Sequence, residues 1–195
     1  MYPTKKLLLI CWIFIALFRL VPSSVLAQNR KSLAEYKPRF ELFKIPGGVD
    51  KNRVNCILQD SLGFMWFATH NGLIRYDGHF FKSYQYSAQD SNAISRDFLE
   101  WLYLDRSGKI WIGTFGGGLS CFNPKTEKFT RYAQQADNRN SIAANHVISI
   151  VEDPQGFIWI GTRVGLDRLN VKDGVIKHFK HDKNEPGSLS NDEIW

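Results

Sequence analysis

Asp105-Arg106-Ser107-Gly108-Lys109-Ile110-Trp111-Ile112-Gly113-Thr114 is the middle one of three related stretches; Asp60 to Thr69 reads D-S-L-G-F-M-W-F-A-T and Asp153 to Thr162 reads D-P-Q-G-F-I-W-I-G-T. Each copy holds an aspartate (Asp60, Asp105, Asp153), a glycine three residues on (Gly63, Gly108, Gly156), a tryptophan (Trp66, Trp111, Trp159) and a closing threonine (Thr69, Thr114, Thr162). The tryptophans recur after 45 and then 48 residues. That period suits one blade of a β-propeller and is too long for a leucine-rich or helical-hairpin repeat.

Working outward, each repeat divides into four short runs of strand character. The first precedes the aspartate: Val54 to Leu58, Phe98 to Leu102 and Val147 to Val151. In the D-x-x-G turn the Asp side chain bonds the backbone ahead of it and the Gly takes a positive φ, which predicts a tight hairpin into the second strand. That strand is apolar at almost every position, as expected where neighbouring sheets cover both faces. A second glycine (Gly72, Gly118, Gly165) opens the third strand, and Gly113 and Gly161 sit just before the threonine in two of the copies. The fourth strand carries Phe81-x-x-Tyr84, Phe129-x-x-Tyr132 or Ile176-x-x-Phe179. A polar link ends each repeat, at Asn92 to Ser95, Asn140 to Ala143 and Gly187 to Ser190. No stretch beyond residue 27 has a convincing helical period. The expected fold is an all-β propeller of four-stranded antiparallel blades, with blade 1 over 54–95, blade 2 over 96–143 and blade 3 over 144–190.

Residues 191–195 read as the first strand of a fourth blade, by alignment of Asn191 to Trp195 with Asn145 to Ser149. Phe40 to Phe43, within the segment 28–53, reads as a lone outer strand of the kind that closes a propeller ring. Propellers have about 4 to 8 blades, so the sequence reads as an incomplete propeller, the N-terminal piece of a longer chain. The first 27 residues read as a signal peptide, with Lys5 and Lys6 before a short apolar run, Leu7 to Phe18, and small residues leading to cleavage after Ala27. Three of the 25 Lys and Arg residues lie in this leader and none of the 19 acids does, so the exported chain carries about half of the formal +6. The charges are scattered without a basic run, and no nucleic-acid partner is expected. Cys56 and Cys121 fall on different strands of different blades and are expected to stay free.

The string D-x-x-G-x-I-W-I-G-T-x-x-G-G-L, followed by F-x-x-Y and S-L-S, resembles the two-component-regulator propeller repeat over residues 40 to 195. The resemblance implies the periplasmic half of a hybrid two-component sensor kinase that detects oligosaccharides. It also implies further blades, an immunoglobulin-like domain, a membrane helix, kinase, receiver and DNA-binding parts downstream, and the possibility of a homodimer. Phe67-Ala68 departs from the pattern's Ile-Gly, and the second repeat has one extra residue in its glycine turn.

The recurrent residues read as structural, since a side chain demanded by every blade is a packing or turn residue. Ligand contacts are instead expected where the repeats differ on the turn just after the threonine: His70 and Asn71, Phe115, and Arg163. His178 and His181 read as surface histidines. No nucleophile elbow, phosphate loop or metal-ligand spacing appears, so neither cofactor nor metal is expected. The open alternatives are a propeller enzyme of lyase or quinoprotein type, which needs convergent His, Arg or Glu groups at a central channel, and a protein-binding scaffold.

Overall fold

The computed structural model describes residues 53–195. The leader and the strand expected at 40–43 lie outside the described residues. Twelve strands form three four-stranded antiparallel sheets, each made of strands consecutive in sequence. The first sheet holds β1 (Val54–Gln59), β2 (Met65–Thr69), β3 (Gly72–Tyr76) and β4 (Phe81–Tyr84); the second β5 (Leu99–Leu104), β6 (Ile110–Thr114), β7 (Leu119–Asn123) and β8 (Lys128–Tyr132). The third holds β9 (Val147–Glu152), β10 (Phe157–Thr162), β11 (Gly165–Asn170) and β12 (Ile176–Phe179). These are propeller blades. In each, the turn between the middle strands and the link to the next sheet lie at one end, and the other two hairpin turns at the opposite end.

The D-x-x-G turn is closed by one carboxylate. Asp105 Oδ1 accepts the backbone N–H groups of Ser107 (2.8 Å) and Lys109 (2.9 Å), and the turn residue Gly108 sits at φ 82°. The other oxygen, Oδ2, accepts the indole N–H of Trp111 at 2.8 Å. Asp60 with Trp66 and Asp153 with Trp159 repeat the bond at the same length. A buried indole N–H left without an acceptor is costly, so the aspartate that makes the hairpin also satisfies the ring that fills the core. At Asp153 burial opposes ionisation, but the Trp159 indole and the backbone N–H groups of Phe157, Gln155 and Gly156 outweigh it and hold the carboxyl below the usual range.

Alternate residues of one strand enter different cores. Ile110 and Ile112 pack with Trp66, Leu73, Ile94 and Leu99 between the first two sheets. Trp111 packs with Ile142, Val147, Ile158 and Ile160 between the second and third. The fourth strand supplies a ring to the same tryptophan: Tyr84, Tyr132 and Phe179 lie 6.1, 5.8 and 5.3 Å from Trp66, Trp111 and Trp159. Gly113 lets the next blade approach, since a Cβ there would stand 2.8 Å from the Val147 carbonyl oxygen.

Three expectations need correction. Residues 191–195 form no strand; Ile194 stands against Gly161 as Val147 does against Gly113, and its N–H donates to the Thr162 carbonyl at 2.9 Å. The repeat register there is therefore one residue off the alignment above: Ile194 matches Val147, and Asp192 matches Asn145. Phe98 precedes β5 instead of opening it. The tryptophans are not equally core: Trp66 and Trp111 are fully buried, while Trp159 is half-buried because no following sheet covers it among the described residues. Cys56 and Cys121 are free, as expected, and burial pushes the Cys121 thiol up to about 12.

Trp111→Ala should destabilise the propeller by about 3–5 kcal/mol through the cavity it leaves. Trp159→Ala in residues 28–195 should cost clearly less, and Arg163→Ala no more than about 0.5 kcal/mol. Denaturant midpoints of the three variants test this ranking, and equal losses would contradict it.

Candidate functional site

The sequence candidates lie at the end of the sheets that carries the β2–β3, β6–β7 and β10–β11 turns. A recurrent device fixes each turn. The Thr69 hydroxyl donates to the Gly72 carbonyl (2.8 Å) and accepts the Asn71 N–H (3.0 Å); Thr114 and Thr162 repeat both contacts. The glycine of each turn lies under the fourth strand. A Cβ on Gly118, which sits at φ 80°, would come within 2.3 Å of the Tyr132 carbonyl oxygen, and Gly72 and Gly165 are as confined. The Gly72 and Gly118 N–H groups donate at 2.8 Å to the carbonyls of Asp97 and Asn145, just before the next sheet. The side chains of Asp97, Asn145 and Asp192 in turn accept the N–H of Tyr86, Gln134 and His181 at 2.7, 2.8 and 2.6 Å. These acceptors escaped the sequence reading because Asp and Asn alternate within polar links.

With the turns held so, the residue after the threonine meets the residue just before the next sheet. His70 lies 3.9 Å from Phe98 between ring centroids, Phe98 stacks on Phe115 at 5.2 Å, and Phe115 meets His146 at 4.5 Å. His146 Nε2 is 3.7 Å from Glu100 Oε1. The result is a row of four rings that runs from the first sheet across the second to the entry of the third, with Phe115 half exposed at 51%. Phe98 and His146 were missed in the sequence because their positions vary between repeats as much as those of His70 and Phe115. Arg163 occupies the equivalent place in the third sheet, 5.6 Å over the Trp195 ring and 3.5 Å from Glu193. Asn71 stays apart from the row; its N–H serves Thr69 and its carbonyl accepts Gln85 Nε2 at 3.2 Å.

Beside the ring row runs a groove of about 250 Å³ lined by Tyr86, Ser95, Arg96, Gly116, Arg131 and Asn145 among others. Both guanidinium groups lie over the Tyr86 ring, Arg96 at 5.6 Å and Arg131 at 5.7 Å. Arg131 also donates to the carbonyls of Ala93 (2.7 Å) and Asp90 (2.8 Å), gripping the preceding link. Among the described residues no group of three or more His, Cys, Asp or Glu side chains is placed to hold a metal.

His178 is exposed, as read from the sequence, and it also holds the structure together. It occupies in the third sheet the place of Arg131 in the second, and it grips its own preceding link. Its Nδ1 lies 2.6 Å from Oδ1 of Asp167, which is fully buried, and its Nε2 lies 2.9 Å from the Arg139 carbonyl. Asp167 Oδ2 accepts the Ala143 N–H at 2.7 Å. Both ring nitrogens face acceptors, so only the protonated imidazole satisfies both contacts.

The architecture is that of a propeller whose rigid blades hold non-repeating side chains on the turns at one end. Residues 48–71 and 141–163 match the family described as two component regulator propeller. The extracellular domain of a hybrid two-component system from B. thetaiotaomicron superposes with a TM-score of 0.69 at 29% identity, over 80% of this chain and 22% of that one. Histidine kinase P4 of Formosa agariphila is 35% identical over 81 residues, which is 42% of this chain and 6% of that protein. The present chain spans only a small part of either relative.

Burial opposes the charge on His178, but the Arg139 carbonyl and the Asp167 carboxylate outweigh it, and Lys180 repels it only weakly, so its pKa lies above the ordinary histidine value. The contribution to stability is thus full below the unfolded value of about 6.5 and fades as pH rises through the higher folded value. His178→Gln should lower the melting temperature most at acidic pH, with the difference shrinking as the pH is raised. A difference that does not change with pH would contradict the two-acceptor arrangement.

Proposed function

We propose that these blades are part of the exported, ligand-sensing region of a hybrid two-component sensor, and that the ligand is an oligosaccharide held on the ring row and in the adjoining groove. The row His70–Phe98–Phe115–His146 carries this reading. Flat, partly exposed rings offer apolar faces on which the C–H face of a pyranose can stack, and the neighbouring Arg96, Ser95 and Asn145 supply polar groups that fix orientation. The likeness to an extracellular domain of a hybrid system supports both the export and the sensor role.

The row spans both joints, drawing on the β2–β3 turn, the segment entering β5, the β6–β7 turn and the segment entering β9. A ligand lying across it binds one relative setting of those sheets better than another, and that difference in affinity is what biases a signal. In this reading the signal passes to a kinase in a later part of the chain, beyond an inner-membrane anchor.

Calorimetric titration of the complete exported region with a panel of oligosaccharides tests the proposal. Phe115→Ala should weaken binding of the recognised sugar by about tenfold or more, roughly 1.4 kcal/mol, without moving the melting temperature. Asn71→Ala should leave affinity unchanged. Unaltered affinity in Phe115→Ala, or a panel in which no sugar binds, would overturn the assignment.

A further inference from the structure

Arg75 on β3 and Lys82 on β4 stand opposite each other in register. The Arg75 guanidinium lies 4.8 Å over the Phe64 ring and 5.9 Å over Trp66, and the Lys82 ammonium lies 5.2 Å over Tyr84. Across the joint, Glu127 of the second sheet reaches this pair. Lys82 Nζ donates to both its oxygens, at 2.6 and 2.8 Å, Tyr84 Oη donates at 3.0 Å, and Arg75 Nη1 lies 3.8 Å away. Glu127 does so from φ 55°, making it the only non-glycine residue with positive φ among the described residues. The matching position in the third sheet is Gly174 at φ 74°; both N–H groups donate at 2.8 Å to an Asn carbonyl four residues earlier, Asn123 or Asn170. A side chain in this strained backbone setting coincides with a clamp across the joint.

The joint between the second and third sheets has neither half of the clamp. Cys121 and Thr130, which pair in register, replace the arginine and lysine, and the opposing turn carries Gly174. The far face of the third sheet has the cationic half again. Arg168 and Lys177 pair in register; Arg168 lies 4.4 Å over Phe157 and 5.6 Å over Trp159, and Lys177 lies 5.1 Å over Phe179. Arg168 Nε is buried without a hydrogen-bond partner. Neither cation meets a carboxylate among the described residues, and Val151 on the same face is 52% exposed.

We propose that this face docks a further blade of the same polypeptide, and that this blade presents a carboxylate to Arg168 and Lys177 from the turn between its third and fourth strands. A buried guanidinium nitrogen is costly unless it is paired, and the joint between the first two sheets shows the partner that fits the same cation pair over the same rings. A second copy of this chain offers no free match. Its Glu127 is engaged within its own first joint; in its third-sheet turn the position of Glu127 is Gly174 and the neighbouring Asp173 carboxylate accepts the Asn170 amide and the Val175 N–H; and in its first-sheet turn the Asp77 carboxylate accepts the N–H groups of His79 and Phe80. The inference concerns packing alone and does not depend on the sensor role.

Zero-length carbodiimide cross-linking of the full-length gene product, followed by peptide mass spectrometry, tests it. The Lys82–Glu127 amide serves as the internal standard. The expected result is a second amide between Lys177 and an Asp or Glu in a turn of a later blade, lost in Lys177→Arg while the Lys82–Glu127 product persists. A standard cross-link with no Lys177 product would overturn the proposal. So would a Lys177 product that joins two copies in an isotope-mixed sample.

Discussion

The hydrogen bond from a tryptophan indole to the aspartate six residues before it is the contact on which each blade depends. The aspartate divides its two oxygens between tasks: one holds the backbone of the D-x-x-G turn, and the other fixes the ring. Because the second strand starts from that turn, the register of the hairpin and the orientation of the tryptophan are set together. The oriented ring then receives the aromatic residue of the fourth strand on one side and the next sheet on the other. A propeller blade has little core of its own and draws stability from its neighbours, so a device that aims the largest side chain at the next blade decides how blades assemble.

The strand pattern, the turns and the blade period were legible because they repeat, and a residue that recurs at one place in every copy shows its structural role in the sequence. The indole–carboxylate bond was not legible: both residues had separate local explanations, a turn former and a packing ring, and only geometry joins them. The ring row was half legible. His70 and Phe115 stand out as variable residues after a fixed threonine, but Phe98 and His146 belong to the next repeat, and their contact depends on how far the blades turn relative to each other. His178 illustrates the same limit. Its place on an exposed strand was legible, but not that Asp167, eleven residues back, sits opposite it in register.

Two kinds of joint follow from one scaffold. The aspartate–tryptophan pair, the threonine–glycine turn and the fourth-strand ring occur in all three sheets, while the side chains exposed at their ends differ. Between the first two sheets a carboxylate crosses to a cation pair; between the second and third, Cys121 and Thr130 stand in place of the cations, the opposing turn carries Gly174, and Glu152 accepts the Arg106 N–H instead. At the opposite end of the sheets the variable residues after the threonine form the ring row and groove. The repeat thus fixes where side chains stand, and the variation within it sets which blade follows and what can bind.

A double-mutant cycle on Asp105 and Trp111, read by chemical denaturation, tests the central claim most directly. Trp111→Phe keeps a ring in the joint and removes the indole N–H; Asp105→Ala removes the acceptor and the turn contacts. If the bond joins turn and core, the two losses are not independent, and the double variant should be more stable than their sum predicts by about 1–3 kcal/mol. Losses that add to within about 0.5 kcal/mol would show that the aspartate serves the turn and the tryptophan the core separately, contradicting this account of how the blades are built.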